Sequence, residues 1–115
     1  MHTSGKMQDC IQECKTCEQI CLETVTHCLQ KGGRHAEPQH IQMLLDCAEI
    51  CRASANFMIR GSNFHGRTCG VCAEVCDACA QDCASFGDDA DMQRCAEACT
   101  SCARSCREMA SMMAR

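Results

Sequence analysis

CGVCAEVCDACAQDC, residues 69–83, is the stretch that decides how this chain folds. It places five cysteines at alternating steps of three and four residues: Cys69, Cys72, Cys76, Cys79 and Cys83. On an α-helix of about 3.6 residues per turn, such positions lie on one face. Leu or Ile normally occupies that face, because burying apolar surface holds a small bundle together. The spacing therefore predicts a helix whose core-facing stripe is made of thiols.

The same spacing recurs along the chain. The pattern CxxxCxxCxxxC, present in residues 72–83, returns in residues 10–21 and 95–106, and a single CxxxC occupies residues 47–51. Residues four apart on a helix have Cβ atoms about 5 to 6 Å apart, so each CxxxC is a two-sulfur clamp. The clamps are Cys10/Cys14, Cys17/Cys21, Cys47/Cys51, Cys72/Cys76, Cys79/Cys83, Cys95/Cys99 and Cys102/Cys106, with Cys28 and Cys69 outside them.

Glycine, proline and capping residues mark the helix boundaries. Gly32 and Gly33 supply a stop after the first pattern, and Pro38 fits the first turn of the second helix. The predicted helices span about residues 5–31, 37–60, 63–86 and 89–113. The expected N-caps are Ser62 or Asn63 for the third helix and Asp88 or Asp89 for the fourth.

Four amphipathic helices with short connections predict an all-α fold, an antiparallel four-helix bundle with a Cys-lined core. Residues 1–115 are expected to form this one domain. Leu, Ile, Val and Phe together number only 15. Buried cysteine behaves as a small hydrophobic residue, so sixteen of them supply a thin core. We therefore expect the metal-free protein to be helical but softer than the metal-loaded form.

Charge and hydropathy exclude two classes of partner. The net charge is −4 and there is no Trp or Tyr, whereas nucleic-acid binding calls for a basic face and usually for stacking aromatics. No stretch approaches about 18 apolar residues, so no membrane contact is predicted. The N-terminal MHTSGKMQDC has no apolar leader segment, which predicts a cytoplasmic location. In a reducing cytosol, cysteine-rich sequences more often bind metal than form disulfides.

Among metals, Cu(I) fits these rows of sulfur best. A thiolate binds metal at about 2.3 Å, taking zinc as a guide, so two sulfurs of one clamp can grip one ion. All-sulfur sites of low coordination number suit Cu(I), which soft ligands select. Zinc requires four tetrahedral ligands, commonly from two short clamps joined by a loop. The C-x2-C-x2-C-x3-C-P run typical of iron–sulfur clusters is missing.

Two other function classes remain as alternatives. The even count of sixteen cysteines is compatible with a disulfide-stabilised helical scaffold, although hairpin disulfides need far fewer thiols per helix. A redox or iron–sulfur electron-transfer protein would also use the thiols. The favoured interpretation is a store that binds many Cu(I) ions through thiolates, with no enzymatic turnover and no catalytic residue.

In the predicted bundle, one end joins the starts of helices one and three to the ends of helices two and four. This end collects Met7, Met58, His65, Met109 and Met113 in register with the cysteine stripes. Thioether and imidazole bind Cu(I) more weakly than thiolate, so these side chains could form a loading mouth. The alternative is core filling, which is a common use of Met.

The opposite end is predicted to be a plug. Phe86 and Leu44 lie in the stripes there, with His40 and Met92 nearby. The other histidines, His2, His27 and His35, fall outside the stripes and are predicted to be solvated.

Taken together, the repeated clamps on four successive helices resemble the bacterial copper storage proteins, a Cys-rich four-helix-bundle family. The resemblance covers Met7 to Met113. It implies a homotetramer of bundles, each holding many Cu(I) ions, and it points to the cytosolic branch of the family. It also implies that all sixteen cysteines are copper ligands, that Met58, His65 and Met109 guard the entrance, and that a copper chaperone or acceptor protein is a partner.

Overall fold

The computed structural model describes residues 5–113, and in that range the chain forms four α-helices and no strand. Each helix packs against its neighbour in the chain, and the fourth packs back against the first. The resulting bundle measures 46 × 20 × 19 Å. The four helices confirm the predicted all-α architecture. The helices are α1 (Gly5–Lys31), α2 (Pro38–Ile59), α3 (His65–Ala84) and α4 (Ala90–Met113), with a short 3-10 helix at Gly33–Ala36.

Two helix boundaries lie where the sequence predicts them. Gly32 has φ 74°, and its N–H donates to the Cys28 carbonyl at 3.1 Å, so α1 ends at a positive φ that glycine adopts without strain. The Asp89 carboxylate accepts hydrogen bonds from the N–H groups of Asp91 at 3.0 Å and Met92 at 3.2 Å. Asp89 is therefore the N-cap of α4.

The start of α3 differs from the prediction, because the preceding serine serves the end of α2. The Ser62 N–H donates to the Phe57 carbonyl and the Gly61 N–H donates to the Met58 carbonyl, each at 3.0 Å. These two bonds form a Schellman motif, with Gly61 at φ 66°. The Ser62 hydroxyl accepts the Phe64 N–H at 3.0 Å, and α3 begins at His65 with Phe64 in the N-cap position and no side-chain cap.

The core consists mainly of thiols. All sixteen cysteines are buried, and none is disulfide-bonded. The largest other side chains that are fully buried are Leu44, Met58 and Met92. None of the helices in residues 5–113 has an apolar stretch long enough to cross a membrane. The interior of the bundle is therefore formed mainly by buried cysteine in place of Leu or Ile, as the spacing predicts.

Candidate metal centre

At least twelve of the cysteines meet in overlapping groups of four. In each group, every sulfur lies within 4.8 Å of the other three. Each group combines one CxxxC clamp with one cysteine from each of two other helices. Five of these groups, called quartets below, are Cys21/Cys79/Cys95/Cys99, Cys17/Cys21/Cys47/Cys99, Cys17/Cys47/Cys51/Cys76, Cys51/Cys72/Cys76/Cys102 and Cys14/Cys72/Cys102/Cys106.

Consecutive quartets share two cysteines. Taken in the order given, the shared pairs connect all five quartets into one column along the bundle axis, without a break between the first and the last. A sulfur that belongs to two quartets is in position to bridge two metal ions. The shared pairs are Cys21 with Cys99, Cys17 with Cys47, Cys51 with Cys76, and Cys72 with Cys102.

Many of the closest sulfur pairs join different helices. The Sγ atoms of Cys14 and Cys106 lie 3.5 Å apart, between α1 and α4. Those of Cys51 and Cys102 lie 3.8 Å apart, although α2 and α4 are diagonally opposite in the bundle. The cysteine spacing predicts the intrahelical clamp as the metal-binding unit, whereas the structure adds two sulfurs from other helices to a clamp. A linear sequence does not contain this grouping, because helix rotation and register determine it.

Shared protons link the thiols before any metal binds. The pKa of Cys10 is lowered, because Cys106 and then Cys14 donate S–H hydrogen bonds to its sulfur. The pKa of Cys14 is raised, chiefly because it donates to Cys10. The pKa of Cys69 rises to about 12, mainly through its hydrogen bond with Cys10. Metal ions that bind these sulfurs displace the thiol protons into solution. Metal binding by the column therefore depends on pH.

Of the predicted mouth residues, Met58 lies at the end of α2, His65 at the start of α3 and Met109 near the end of α4. Met58 and Met109 are almost completely buried and belong to the same core cluster as the cysteines. His65 is 6% exposed, and its Nδ1 is buried without a hydrogen-bond partner in the described part of the chain. A buried nitrogen without a partner costs free energy, and a bound metal ion would satisfy His65 Nδ1. The backbone of Met113 belongs to α4, but its side chain lies outside the description.

At the opposite end, polar groups lie where the sequence predicted a plug. The Cys28 sulfur lies 3.3 Å from His40 Nε2 and 3.6 Å from the Met92 sulfur. Burial and then the charge of Asp89 raise the pKa of Cys28 to about 11. Phe86 is only partly buried and packs on the His40 ring, with centroids 4.6 Å apart. Helical periodicity predicts His40 and Met92 near this end but indicates no role for them as ligands.

The prediction of solvated histidines is wrong for two of the three. His27 and His35 are partly buried, and each donates to the Asp89 carboxylate, at 2.9 Å and 3.0 Å. These bonds tie the end of α1 and the 3-10 helix to the start of α4, and their partner was not apparent from helical periodicity. His2 lies outside the described residues.

Comparison with known proteins settles the family. The family model described as copper storage protein matches residues 3–111. This chain belongs to the copper storage protein family. A comparison with curated proteins found no match.

Solved structures of similar proteins share the copper storage fold. A protein from Nitrosospira multiformis is 44% identical, with 96% of this chain and 99% of that chain covered and a TM-score of 0.89. The Cu(I)-bound copper storage protein BsCsp3 is 34% identical over 91% of this chain and 98% of its own, with a TM-score of 0.84. A cytosolic copper storage protein from Streptomyces lividans with five coppers is 33% identical over 92% of each chain, with a TM-score of 0.81.

Proposed function

We propose that this protein stores Cu(I) by binding many cuprous ions as thiolate clusters along the axis of the bundle. The observation that carries this proposal is the unbroken column of quartets with shared sulfurs. Soft thiolates select Cu(I), and bridging sulfurs allow each ion a low coordination number. A similar protein from Streptomyces lividans is described as loaded with 10 copper equivalents. Copper is the cargo here, and the proposal includes no catalytic step.

All sixteen cysteines are the proposed ligands, with Met58, His65 and Met109 as the entrance. The support for the entrance is the unpartnered Nδ1 of His65 and the burial of both methionines against the thiol core. Thioether and imidazole ligands hold Cu(I) less tightly than thiolates do, so ions that enter here would move inward. The rate of Cu(I) uptake distinguishes this proposal from the alternative, in which Met58 and Met109 only fill the core.

A Cu(I) titration tests the storage proposal. The chain is purified without oxidant, its free thiols are counted, and it is titrated with Cu(I) against a competing chelator. Storage requires nearly all thiols to be free, many Cu(I) ions per chain and no visible absorption bands. Saturation at one or two ions, or thiols already paired on isolation, would overturn it. A brown chromophore would instead favour the iron–sulfur alternative.

Loading kinetics test the entrance. Met58→Leu, Met109→Leu and His65→Ala, combined in one variant, should slow Cu(I) uptake and leave the final capacity nearly unchanged. Met112→Leu is the matched control, because Met112 lies near the same end of α4 but is exposed. Uptake at the wild-type rate by the triple variant would assign these three side chains to core packing.

We also propose a cytosolic location, a homotetramer and an acceptor protein. The cytosolic location is supported by the description of the Streptomyces lividans protein as cytosolic. Leu22 and Leu29 of α1 are exposed and could pack against another subunit, which supports an oligomer. The acceptor would require soft ligands to take Cu(I) from thiolates. Cell fractionation tests the location, and light scattering of the wild type and of Leu22→Glu tests the tetramer.

A further inference from the structure

Two histidines and one aspartate converge where the end of α1, the 3-10 helix and the start of α4 meet. His27 Nε2 and His35 Nε2 lie 2.9 Å and 3.0 Å from the same atom, Oδ2 of Asp89. Three segments supply these groups, because α1 carries His27, the 3-10 helix carries His35, and Asp89 directly precedes α4. None of the three residues belongs to the five quartets or to the buried core. They are therefore a separate cluster of metal-ligating side chains.

The Asp89 carboxylate is held in place through its other oxygen. Oδ1 accepts the N–H groups of Asp91 at 3.0 Å and Met92 at 3.2 Å, as the N-cap of α4. Oδ2 is left to face the two imidazoles. The Asp89 side chain is only 11% exposed, whereas the side chains of His27 and His35 are 25% and 19% exposed. The fold thus fixes the carboxylate, and the two histidines remain accessible to an ion from solvent.

A second carboxylate orients the His27 ring. Asp91 Oδ2 lies 3.2 Å from His27 Nδ1, so the ring stands between two aspartates, one at each nitrogen. A metal-ligating histidine commonly donates its other N–H to a carboxylate, which fixes the ring and makes the ligating nitrogen more basic. With the Nδ1 proton donated to Asp91, Nε2 is the nitrogen that can exchange its proton for a metal ion.

The separations fit octahedral coordination better than tetrahedral coordination. With metal–ligand bonds of about 2.0 to 2.1 Å, ligand atoms at right angles lie about 2.9 Å apart, and ligand atoms at tetrahedral angles lie about 3.3 Å apart. The observed distances of 2.9 Å and 3.0 Å match the right-angle value. Two imidazoles and one carboxylate also form the facial ligand set of divalent transition metals, which leaves the other positions open.

We propose that His27, His35 and Asp89 form a site for one divalent first-row transition-metal ion in octahedral coordination, with Asp91 as the positioning residue. On binding, the Nε2 protons of both histidines leave to solvent, and the ion takes their place between these nitrogens and Asp89 Oδ2. Imidazole and carboxylate suit such ions, whereas Cu(I) prefers the sulfur of the quartets. The ion joins α1, the 3-10 helix and α4, and its binding does not depend on the stored cargo.

Nickel(II) is the probe, because it takes nitrogen and oxygen ligands and is paramagnetic in octahedral coordination. The full-length chain is filled with Cu(I) without oxygen, which occupies the thiols, and Ni²⁺ is then added. One Ni²⁺ per chain should bind, and the NMR signals of the His27 and His35 rings should broaden before those of any other histidine. These ring signals report on this site whether or not the thiols take up copper, so failure of the site and failure of storage are separate results.

Single substitutions distinguish a metal site from a network of ion pairs. His27→Gln and His35→Gln each remove one ligand and should weaken Ni²⁺ binding at least tenfold in competition with a chelator. Lys31→Gln is the matched control, because it removes an exposed positive side chain from the last turn of α1 but removes no ligand. Circular dichroism verifies that each variant retains its helices.

Asp91→Asn tests the positioning role. Loss of a carboxylate behind a metal-ligating histidine typically weakens metal binding about 10- to 100-fold, so the affinity should fall while bound Ni²⁺ still broadens the His27 and His35 signals. Asp88→Asn is the control, since Asp88 is an exposed aspartate next to the same helix start. Absence of bound Ni²⁺, or equal affinity in the wild type and both glutamine variants, would overturn the site and show that the three groups form ion pairs only.

Discussion

The Asp89 carboxylate performs two tasks at the start of α4. One oxygen accepts the backbone N–H groups of the first turn, and the other accepts His27 and His35. Asp89→Ala removes both interactions and should lower the free energy of unfolding of the metal-free protein by about 1 to 2 kcal/mol in urea denaturation. Asp89→Asn retains a capping oxygen and should cost less. Asp88→Ala, at an exposed neighbouring position, should have little effect.

Acid should remove this stabilisation. The hydrogen bond from His27, followed by that from the Met92 N–H, holds the pKa of Asp89 well below its usual range. Its contribution is therefore fully present above the unfolded-state pKa of about 3.9 and is lost as the pH falls through the folded-state value. The stability difference between wild type and Asp89→Asn should shrink as the pH is lowered below about 4. A difference that stays constant from pH 7 to pH 2 would contradict the assigned role of the charge.

At the scale of the helix, Leu44 is the fully buried aliphatic side chain that packs α2 into the core. α2 carries only Cys47 and Cys51, and Leu44 is fully buried beside them. Leu44→Ala should lower the free energy of unfolding by about 2 to 5 kcal/mol, because it leaves a cavity in a tightly packed interior. Leu45→Ala is the control, since Leu45 is 45% exposed. Similar losses for both variants in metal-free chains would show that Leu44 does not anchor α2.

The helices could be predicted from the sequence, but the grouping of the sulfurs could not. Cysteines spaced by three and four residues determine both the helical state and the inward face, because a slip of one residue would expose the thiols. The start of α3 was missed because Ser62 lies in the turn that ends α2, where its N–H bonds Phe57 and its hydroxyl accepts the Phe64 N–H, so the helix begins two residues later than predicted. The contacts of Cys28 with His40 and Met92 were missed for a related reason. His40 and Met92 belong to different helices, and their contacts with Cys28 depend on register.

For the whole molecule, bound copper should stabilise the folded bundle, whose thiol core is thin. Ligands that bind only the folded state stabilise it, and the quartets exist only when the four helices are assembled. The melting temperature, followed by circular dichroism without oxygen, should therefore rise with each Cu(I) equivalent until the thiols are filled. Lowering the pH should reduce the gain, because protons compete for the thiolates. A melting temperature that does not change on loading would place the bound copper outside the bundle.

The number of zinc ions bound should be limited because neighbouring quartets share sulfurs. A zinc ion in an all-thiolate site requires four sulfurs of its own, and only three quartets can be chosen without overlap, using twelve cysteines. The remaining four, Cys10 and Cys69 at one end and Cys28 and Cys83 at the other, cannot meet. These five quartets thus provide three separate zinc sites, and sixteen cysteines provide at most four, whereas Cu(I), which accepts fewer ligands and bridging sulfurs, should continue well beyond four ions. Cys17→Ser breaks two of the five quartets, and Cys10→Ser breaks none of the five, so Cys17→Ser should lower the zinc capacity more. Equal zinc losses in the two variants, measured by chelator competition, would refute the quartet arrangement.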